Sequence, residues 1–304
     1  MTQNHPIRPK MKQMKKNNEL TLGIFGNTTK EEVSDLLSGI LLFLESLNIN
    51  FLVHESLSGI FPGKRKKYFT TSGEILKNSD FILSLGGDGT FLNTANIVGN
   101  KDIPILGINL GRLGFFSEVG PDEIKDFIPE LLKNKFRITE EVIIKSVTGS
   151  NKILFALNDI VIDKNTSVRM LEIETFYNNE KVVRIISDGI IISTPAGSTG
   201  YSLSCNGPIV NPDSRVFIIT PISPHTLNVR PIIVPDDGII KIKIHKEGRA
   251  RISADGQNTV TIKFPSEIII SKADYKIKVI KKLSSTYFKT LKHKLFWNVD
   301  KRYS

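Results

Sequence analysis

The hydrophobic period of this chain changes near residue 136, and this change limits the fold more than any other feature. Before that point, short apolar runs alternate with segments such as Val33 to Leu47, whose apolar residues recur every three or four positions. After it, short runs of apolar and β-branched residues are separated by turn residues. They predict strands over Ile138–Val147, Ile153–Ile162, Leu171–Tyr177, Ile190–Ser193, Val216–Thr220, Ile239–Ile244, Val260–Phe264, Glu267–Ile270 and Ile277–Ile280. Strands alternating with helices indicate a doubly wound parallel sheet, whereas successive short strands indicate a sandwich. The sequence therefore predicts an α/β domain followed by an all-β domain.

The same pattern sets the predicted domain limits. We expect a disordered basic tail over residues 1–18, an N-terminal α/β domain over 19–135 and a β-rich, sandwich-like domain over 136–283. Helical spacing returns over 284–304. We expect this C-terminal helix to pack back on the first domain.

Composition restricts the class of protein. The chain has 304 residues, 40% hydrophobic residues and one cysteine, Cys205, so an intramolecular disulfide or a cysteine cluster for zinc is impossible. No apolar run approaches the roughly 18 residues that span a bilayer, and the N-terminus lacks the apolar core of a signal peptide. These features predict a cytoplasmic protein without a membrane partner.

The net charge of +10 is concentrated at the two ends of the chain. Residues 1–18 carry five basic groups and no acid, and residues 276–304 have a net charge of +8. About −3 is left for the body of the chain. Because the body is not basic, we expect no nucleic-acid partner, and solvated surface charge is the simplest interpretation of the ends.

Three glycines surround one carboxylate in the segment Gly86-Gly87-Asp88-Gly89. An apolar run, Phe81 to Leu85, precedes it, and a helix-like segment, Thr90 to Val98, follows it. Glycines let a backbone approach a phosphate closely, and a single aspartate can act as a general base. The alternative is that Asp88 only caps the helix, although Thr90 could supply that cap. The segment therefore predicts a phosphate site with one reactive carboxylate.

A second glycine-rich turn follows the next predicted strand, over Gly107 to Phe116. Its spacing does not fit the dinucleotide fingerprint, and the chain contains no P-loop motif. Arg112 could contact phosphate or form a surface ion pair. Phe115 could stack on a ring or belong to the core.

Polar residues interrupt the β-rich domain at two places. Asn158 and Asp159 lie within an apolar run, which favours contacts to a ribose or base edge, with a bulge or strand end as the alternative. The segment Ser193 to Ser204 is dense in small and hydroxyl residues and follows Asp188 and a short apolar run. It could bind a polar ligand, with a flexible linker as the alternative.

In their order along the chain, these segments resemble the NAD kinase family over about residues 20–297. The segments that carry the resemblance are Gly86–Thr90, Leu110–Phe115, Asn158, Asp188-Gly189, Ser193-Thr194-Pro195, Thr199–Ser204, Asn206–Ile209, Ser223–Thr226 and Asp255-Gly256-Gln257. The resemblance implies transfer of the γ-phosphoryl group of ATP, or of polyphosphate, to the 2′-hydroxyl of the adenosine ribose of NAD, giving NADP. Asp88 would be the general base.

The resemblance also implies a set of binding residues. NAD would contact Asp88, Gly89, Phe115, Asn158, Asp159, Arg169, Asp188, Thr199, Gly200, Tyr201, Ser202, Leu203, Ser204 and Gln257. Phosphate would contact Gly86, Gly87 and Arg112. This chain has Asp159 where the family usually has glutamate, Ile186 where it often has arginine, and Gly200 where it usually has alanine. Arg184 is the candidate substitute for the missing arginine.

The resemblance further implies a divalent ion, Mg²⁺ with ATP, held mainly by phosphate oxygens and water rather than by a protein metal site. It implies a homodimer or homotetramer. Two alternatives stay open. Lipid kinases of the diacylglycerol and sphingosine type share the Gly-Gly-Asp-Gly turn, and a non-catalytic nucleotide sensor could use the same fold.

Overall fold

A computed structural model describes residues 20–28, 32–60, 66–110 and 114–295, without the side chains of Lys66, Lys246 and Glu247. The chain divides into two compact units. The first comprises residues up to 140 and from 277 onward, and the second comprises 141–276. The predicted disordered tail and the residues after Leu295 lie outside the described residues. No helix in the described ranges is long and apolar enough to cross a membrane.

The first unit is built on a parallel sheet. Its strands, numbered along the chain, are β1 (Thr21–Gly26), β2 (Asn50–His54), β3 (Phe69–Thr70), β4 (Phe81–Leu85), β5 (Ile105–Ile108), β6 (Ser117–Val119) and the end of β16 (Asn258–Lys282). The strand order is β3-β2-β1-β4-β5-β16, and β6 also pairs with β5. The pairs β1–β2, β1–β4, β2–β3, β4–β5, β5–β6 and β5–β16 are all parallel. All five residues of β4 are buried, as expected of a strand covered on both faces.

Helices cover this sheet on both sides. They are α1 (Glu32–Ser46), α2 (Ser72–Asn78), α3 (Asp88–Val98) and α4 (Ile124–Leu132). The first unit also contains α6 (Tyr287–Leu295), near the C-terminus. Short 3₁₀ turns occupy Glu55–Ile60, Lys66–Tyr68 and Gly99–Lys101.

Alternation along β1 and β4 shows which face each helix covers. Leu22 and Ile24 belong to the same buried cluster as the apolar residues of α1 and α4. Gly23 points the other way, where Ile75 of α2 packs against it. On that second face Ser84 of β4 bonds to Thr94 of α3 at 2.9 Å. The predicted doubly wound parallel arrangement is therefore confirmed.

The second unit is rich in antiparallel strands. They are β7 (Phe136–Thr148, which begins in the first unit), β8 (Ile153–Ala156), β9 (Asp159–Asp163), β10 (Leu171–Tyr177), β11 (Glu180–Ser187), β12 (Gly189–Ser193), β13 (Val216–Ile222), β14 (Ile232–Pro235), β15 (Ile240–Ala254) and the first part of β16. One short helix, α5, covers Tyr201–Ser204, directly after a 3₁₀ turn at Ala196–Thr199.

The long strand β15 belongs to two groups of strands. Its first half pairs with β10, which pairs with β11, and its second half pairs with β9, which continues to β12, β13 and β14. A register shift between Ile244 and Gly248 separates the halves. Side chains from both groups, including Ile173 of β10 and Ile192 of β12, share one buried cluster. This arrangement confirms the predicted strand-rich, sandwich-like unit.

Several predicted elements differ from the observed ones. The run Ile153 to Ile162 forms two strands, because the chain turns at Leu157 and Asn158. The runs predicted as separate strands from Val260 to Ile280 form one strand, β16, because a polar residue on an exposed face does not interrupt backbone pairing. Four strands, β3, β6, β11 and β14, were not predicted. Of these, β11 is rich in charge and exposed, so its apolar pattern is weak.

Candidate active site

The segment Gly86–Gly89 lies where the carboxyl ends of three parallel strands of the first unit meet. The amide of Asn27 donates to the carbonyl of Leu85 at 3.0 Å, and the amide of Gly86 donates to the carbonyl of Ile108 at 2.9 Å. Helix α3 begins directly after this junction, with Gly87 as its N-cap and Asp88 as its first residue. The expectation that the helix begins at Thr90, with Thr90 as its cap, was wrong: Thr90 lies inside the first turn, and the cap has no side-chain bond.

The carboxylate of Asp88 is held by the second glycine-rich turn. Its Oδ2 accepts the amide of Phe115 at 3.0 Å, and its Oδ1 accepts the amide of Phe116 at 3.2 Å. The ammonium of Lys294 lies 4.0 Å from Oδ2. About a third of the Asp88 side chain, 31%, is exposed to solvent. Two amides use only part of the acceptor capacity of a carboxylate, so Asp88 can still accept a proton from a ligand on its exposed side.

The two phenylalanines of this turn have different roles. Phe116 is buried and stacks on Phe91 of α3, with ring centroids 4.9 Å apart. Phe115 is half-buried, and its ring lies 5.6 Å from the ammonium of Lys294. Phe116 is therefore the core residue of this pair. Phe115 was the residue for which a core position was one alternative, and its ring is partly exposed beside Asp88. Arg112 lies outside the described residues.

In the second unit, Asp255 organises the turn that carries Asn158 and Asp159. Its carboxylate accepts the amides of Leu157, Asn158 and Asp159 at 2.8, 2.7 and 3.2 Å. Three hydrogen bonds from backbone amides to one carboxylate stabilise this turn. They explain why the apolar run is interrupted at this point. Asp255 was not predicted as a site residue. The signal was its place in an Asp-Gly turn between two long strands.

The side chains of Asn158 and Asp159 differ in their bonding. Among the described residues, Oδ1 of Asn158 is buried and has no hydrogen-bond partner. The pKa of the Asp159 carboxyl is raised to about 7, mainly by burial and also by the negative charge of Asp255, while the hydrogen bond from the amide of Tyr201 opposes the shift. A buried acceptor beside a carboxyl that titrates near neutrality is a suitable surface for hydroxyl groups.

The hydroxyl-rich segment before and within α5 is held by hydrogen bonds within itself and to neighbouring parts of the second unit. Thr194 donates to the carbonyl of Leu157 at 2.7 Å and accepts the amide of Gly197 at 3.0 Å. The hydroxyl of Ser202 is buried against Thr220 at 2.8 Å. Ser198 also bonds to Val210, outside the segment, and Thr199 bonds to Ala196 within it. The segment is therefore an ordered scaffold rather than a linker.

Other predicted ligands of this segment are more accessible. Tyr201 is 46% exposed, Ser204 is exposed, and Leu203 and Gly200 are half-buried. Burial is the main cause of a raised pKa of the Tyr201 hydroxyl, with contributions from the nearby charges of Cys205 and Asp163. The exposed ring of Tyr201 is free to stack on a flat ligand.

The remaining predicted residues are not all brought together. Asp188 forms an ion pair with Lys164 at 2.7 Å, and Gln257 shares the turn of Asp255. Arg169 is exposed on a turn that it shares with Ser167, and no described contact joins it to the other predicted ligands.

The proposed replacement for the arginine missing at position 186 is already engaged. Arg184 is paired with Glu172 on the neighbouring strand, and Ile186 is 46% exposed.

Comparisons with known proteins agree over nearly the whole chain. Models of the ATP-NAD kinase N-terminal and C-terminal domains match residues 22–136 and 157–282. NAD kinase of Flavobacterium psychrophilum is 35% identical over 294 residues, and NAD kinase of Bacteroides fragilis is 36% identical over 289 residues. Each alignment covers 93% of this chain and 100% of the relative.

Solved structures show the same fold. Yeast NADH kinase, in complex with NADH, superposes with a TM-score of 0.84 at 25% identity, covering 92% of this chain and 88% of that one. NAD kinase of Archaeoglobus fulgidus, in complex with ATP, superposes with a TM-score of 0.73 at 26% identity, covering 90% and 99%. The resemblance seen in the sequence motifs is thereby confirmed, and the chain belongs to the NAD kinase family of NAD-phosphorylating enzymes.

Proposed function

We propose that this chain transfers the γ-phosphoryl group of ATP to the 2′-hydroxyl of the adenosine ribose of NAD, with Asp88 as the general base. The observation that carries the proposal is the carboxylate of Asp88, oriented by the amides of Phe115 and Phe116 and still partly exposed. It lies at the first residue of a helix, where strand ends of a doubly wound sheet meet and ligands commonly bind.

The chemistry that this arrangement supports is an in-line displacement at phosphorus. Asp88 accepts the hydroxyl proton, the ribose oxygen forms a bond to the γ-phosphorus, and the bond from that phosphorus to the β,γ-bridging oxygen breaks. ADP leaves with the electron pair, and Asp88 later returns its proton to solvent. The two amide bonds keep the carboxylate aimed, so that little reorganisation is needed during the reaction.

In the second unit we propose that Asn158, Asp159 and Tyr201 bind NAD. The unpartnered Oδ1 of Asn158 accepts a hydroxyl, the carboxyl of Asp159 bonds ribose oxygens, and the exposed ring of Tyr201 stacks on a base. Asp188 and the segment Thr199–Ser204 add further contacts. The complex of the yeast relative with NADH and that of the archaeal relative with ATP support nucleotide substrates.

The expected Mg²⁺ does not have a fitting set of protein ligands among the described residues. No three His, Cys, Asp or Glu side chains are grouped there, and the carboxylate of Asp88 faces two amides and an ammonium, which is an environment for an anion. We propose that Mg²⁺ accompanies ATP and keeps phosphate oxygens and water as its ligands. Homo-oligomer formation and cytoplasmic location stay predictions.

A product assay with matched substrates tests the proposal. Purified protein is incubated with NAD and either ATP or polyphosphate, and NADP is measured with an NADP-specific dehydrogenase. We expect NADP with ATP. Phosphorylation of diacylglycerol or sphingosine without NADP would favour the lipid-kinase alternative, and NAD binding without any phosphorylated product would favour the sensor.

A further inference from the structure

The C-terminal helix α6 brings a lysine to the carboxylate of Asp88. Leu291 is the buried residue of this helix, with 2% of its surface exposed, and the helix belongs to the first unit. Lys294 follows three positions later, so it lies on nearly the same side. Its ammonium is 4.0 Å from Oδ2 of Asp88 and 5.6 Å from the ring centroid of Phe115. No sequence motif near Asp88 indicated this residue.

The end of β16, which precedes α6, is bonded to the turn of Phe115 that orients Asp88. Lys281 donates to the carbonyl of Phe115 at 2.9 Å and pairs with the buried carboxylate of Glu118 at 3.2 Å. The amide of Lys282 also donates to Glu118, at 2.9 Å. The guanidinium of Arg137 holds the carbonyl of Ser285 at 2.9 Å. Several contacts therefore hold the backbone that leads into the helix carrying Lys294.

The two lysines beside Phe115, Lys281 and Lys294, differ in the partners that their ammonium groups bind. Lys281 has a carboxylate and a carbonyl as partners, and its side chain is 13% exposed. Lys294 is 23% exposed, and the described partners of its ammonium are the Asp88 carboxylate and an aromatic ring. Of these two partners, only the Asp88 carboxylate carries a charge. Lys294 is thus the ammonium in this group that can change partner at low cost.

We propose that Lys294 is a catalytic residue: it pairs with Asp88 in the free enzyme and binds an oxygen of the transferring phosphoryl group while Asp88 accepts the hydroxyl proton. This inference rests on the proposed function. When the proton reaches Asp88, its carboxyl becomes neutral and its attraction for the ammonium falls. Negative charge then lies on the phosphoryl oxygens, which surround the phosphorus atom that the hydroxyl oxygen attacks. A lysine ammonium on a flexible stem is well suited to follow that charge.

Steady-state kinetics with substitutions at Lys294 tests this inference. Lys294→Met keeps the length and removes the charge, Lys294→Arg keeps the charge, and Lys292→Met is the matched control, because Lys292 is exposed on the same helix. We expect Lys294→Met to lower kcat by about 10²-fold, as losses of one charged donor to a transition state do. The dissociation constant for NAD should stay within twofold, Lys294→Arg should regain most of the rate, and Lys292→Met should match the wild type. A kcat within twofold of the wild type for Lys294→Met would overturn the proposal.

A double substitution separates direct contact with phosphate from an effect through Asp88. In an Asp88→Asn background, we expect Lys294→Met to lower the residual rate further. No additional loss would mean that Lys294 acts only by pairing with Asp88, which overturns the contact with the phosphoryl group. If Asp88→Asn alone keeps full activity, the general-base role fails, and the single Lys294→Met variant still decides the role of Lys294. If the melting temperature of Lys294→Met is well below that of Lys292→Met, Lys294→Gln is used in its place. The same changes in kcat then decide the role of Lys294.

Discussion

Gly114 lies directly against the carboxylate of Asp88: a Cβ at position 114 would overlap Oδ1 and stand 2.7 Å from Cγ. A glycine is therefore required beside the proposed base, for a steric reason. In Gly114→Ala the carboxylate must move, and the amide bonds from Phe115 and Phe116 must lengthen or break. We expect kcat to fall about 100-fold, the usual effect of a displacement near 1 Å, as measured by initial rates of NADP formation.

The matched control for that substitution is Gly73→Ala. Gly73 lies in α2, and the nearest atom to an added Cβ is 3.9 Å away. We expect wild-type kinetics and a small gain in stability, since alanine favours a helix. Unchanged kcat in Gly114→Ala would show that the orientation of the Asp88 carboxylate does not limit the reaction.

Gly197 makes a comparable approach in the second unit, where a Cβ would overlap the carbonyl oxygen of Asn158. Overpacking of this kind typically costs about 1–3 kcal/mol. If Asn158 binds NAD, Gly197→Ala should weaken NAD binding by about 10-fold or more, measured by calorimetry. Gly200→Ala is the comparison, because its Cβ would meet the carbonyl of Gly197 at 3.2 Å and the side chains of Asn158 and Asp159 at 3.6 Å. Equal NAD affinity in Gly197→Ala and wild type would remove Asn158 from the binding surface.

The raised pKa of Asp159 predicts how stability depends on pH. The carboxyl has a pKa of about 7 in the folded state, against an ordinary value of 3.8 for an aspartate that is exposed to solvent. Between these values the folded protein holds a proton that the unfolded chain has released, so this group makes the folded state less stable as pH rises toward 7. Above about pH 7 the penalty is complete, and below 3.8 it is absent.

Asp159→Asn removes this titration while keeping an acceptor oxygen for the amide of Tyr201. We compare the free energy of unfolding of Asp159→Asn with that of the wild type. From pH 5 to pH 8 this difference should change by about 2–3 kcal/mol in favour of the variant. The wild type loses about 1.4 kcal/mol for each of the two pH units between pH 5 and the pKa of about 7. Urea denaturation at the two pH values measures it. An advantage that is the same at pH 5 and pH 8 would contradict a raised pKa at this position.

The sequence predicted those features that arise from local pattern. The strand Phe81–Leu85 and the turn after it follow from an apolar run and three glycines, and their position at the end of a parallel strand is confirmed. The β-rich unit follows from the period of two. The start of α3 was misplaced by two residues, because Asp88 is both the first helical residue and the ligand of a distant turn.

The contacts that complete each candidate site could not be predicted because they join residues far apart in the chain. Phe115 and Asp88 are 27 positions apart, and Asp255 and Leu157 are 98 positions apart. Pattern and propensity carry no information on such pairs. Phe115 and Phe116 are adjacent and chemically alike, so only packing decides which ring is core. Lys294 is one of several basic residues near the C-terminus, and only the docking of α6 distinguishes it.

The Asp88→Asn variant tests the central claim most directly. Asparagine has nearly the same shape and can still accept an amide, but it cannot take a proton from the hydroxyl. Rates of NADP formation at saturating ATP and NAD are compared with the wild type, and NAD binding is measured separately by calorimetry. We predict a kcat lower by about 10²–10⁴ with NAD affinity retained. A variant that forms NADP at the wild-type rate would contradict the assignment of Asp88 as the general base.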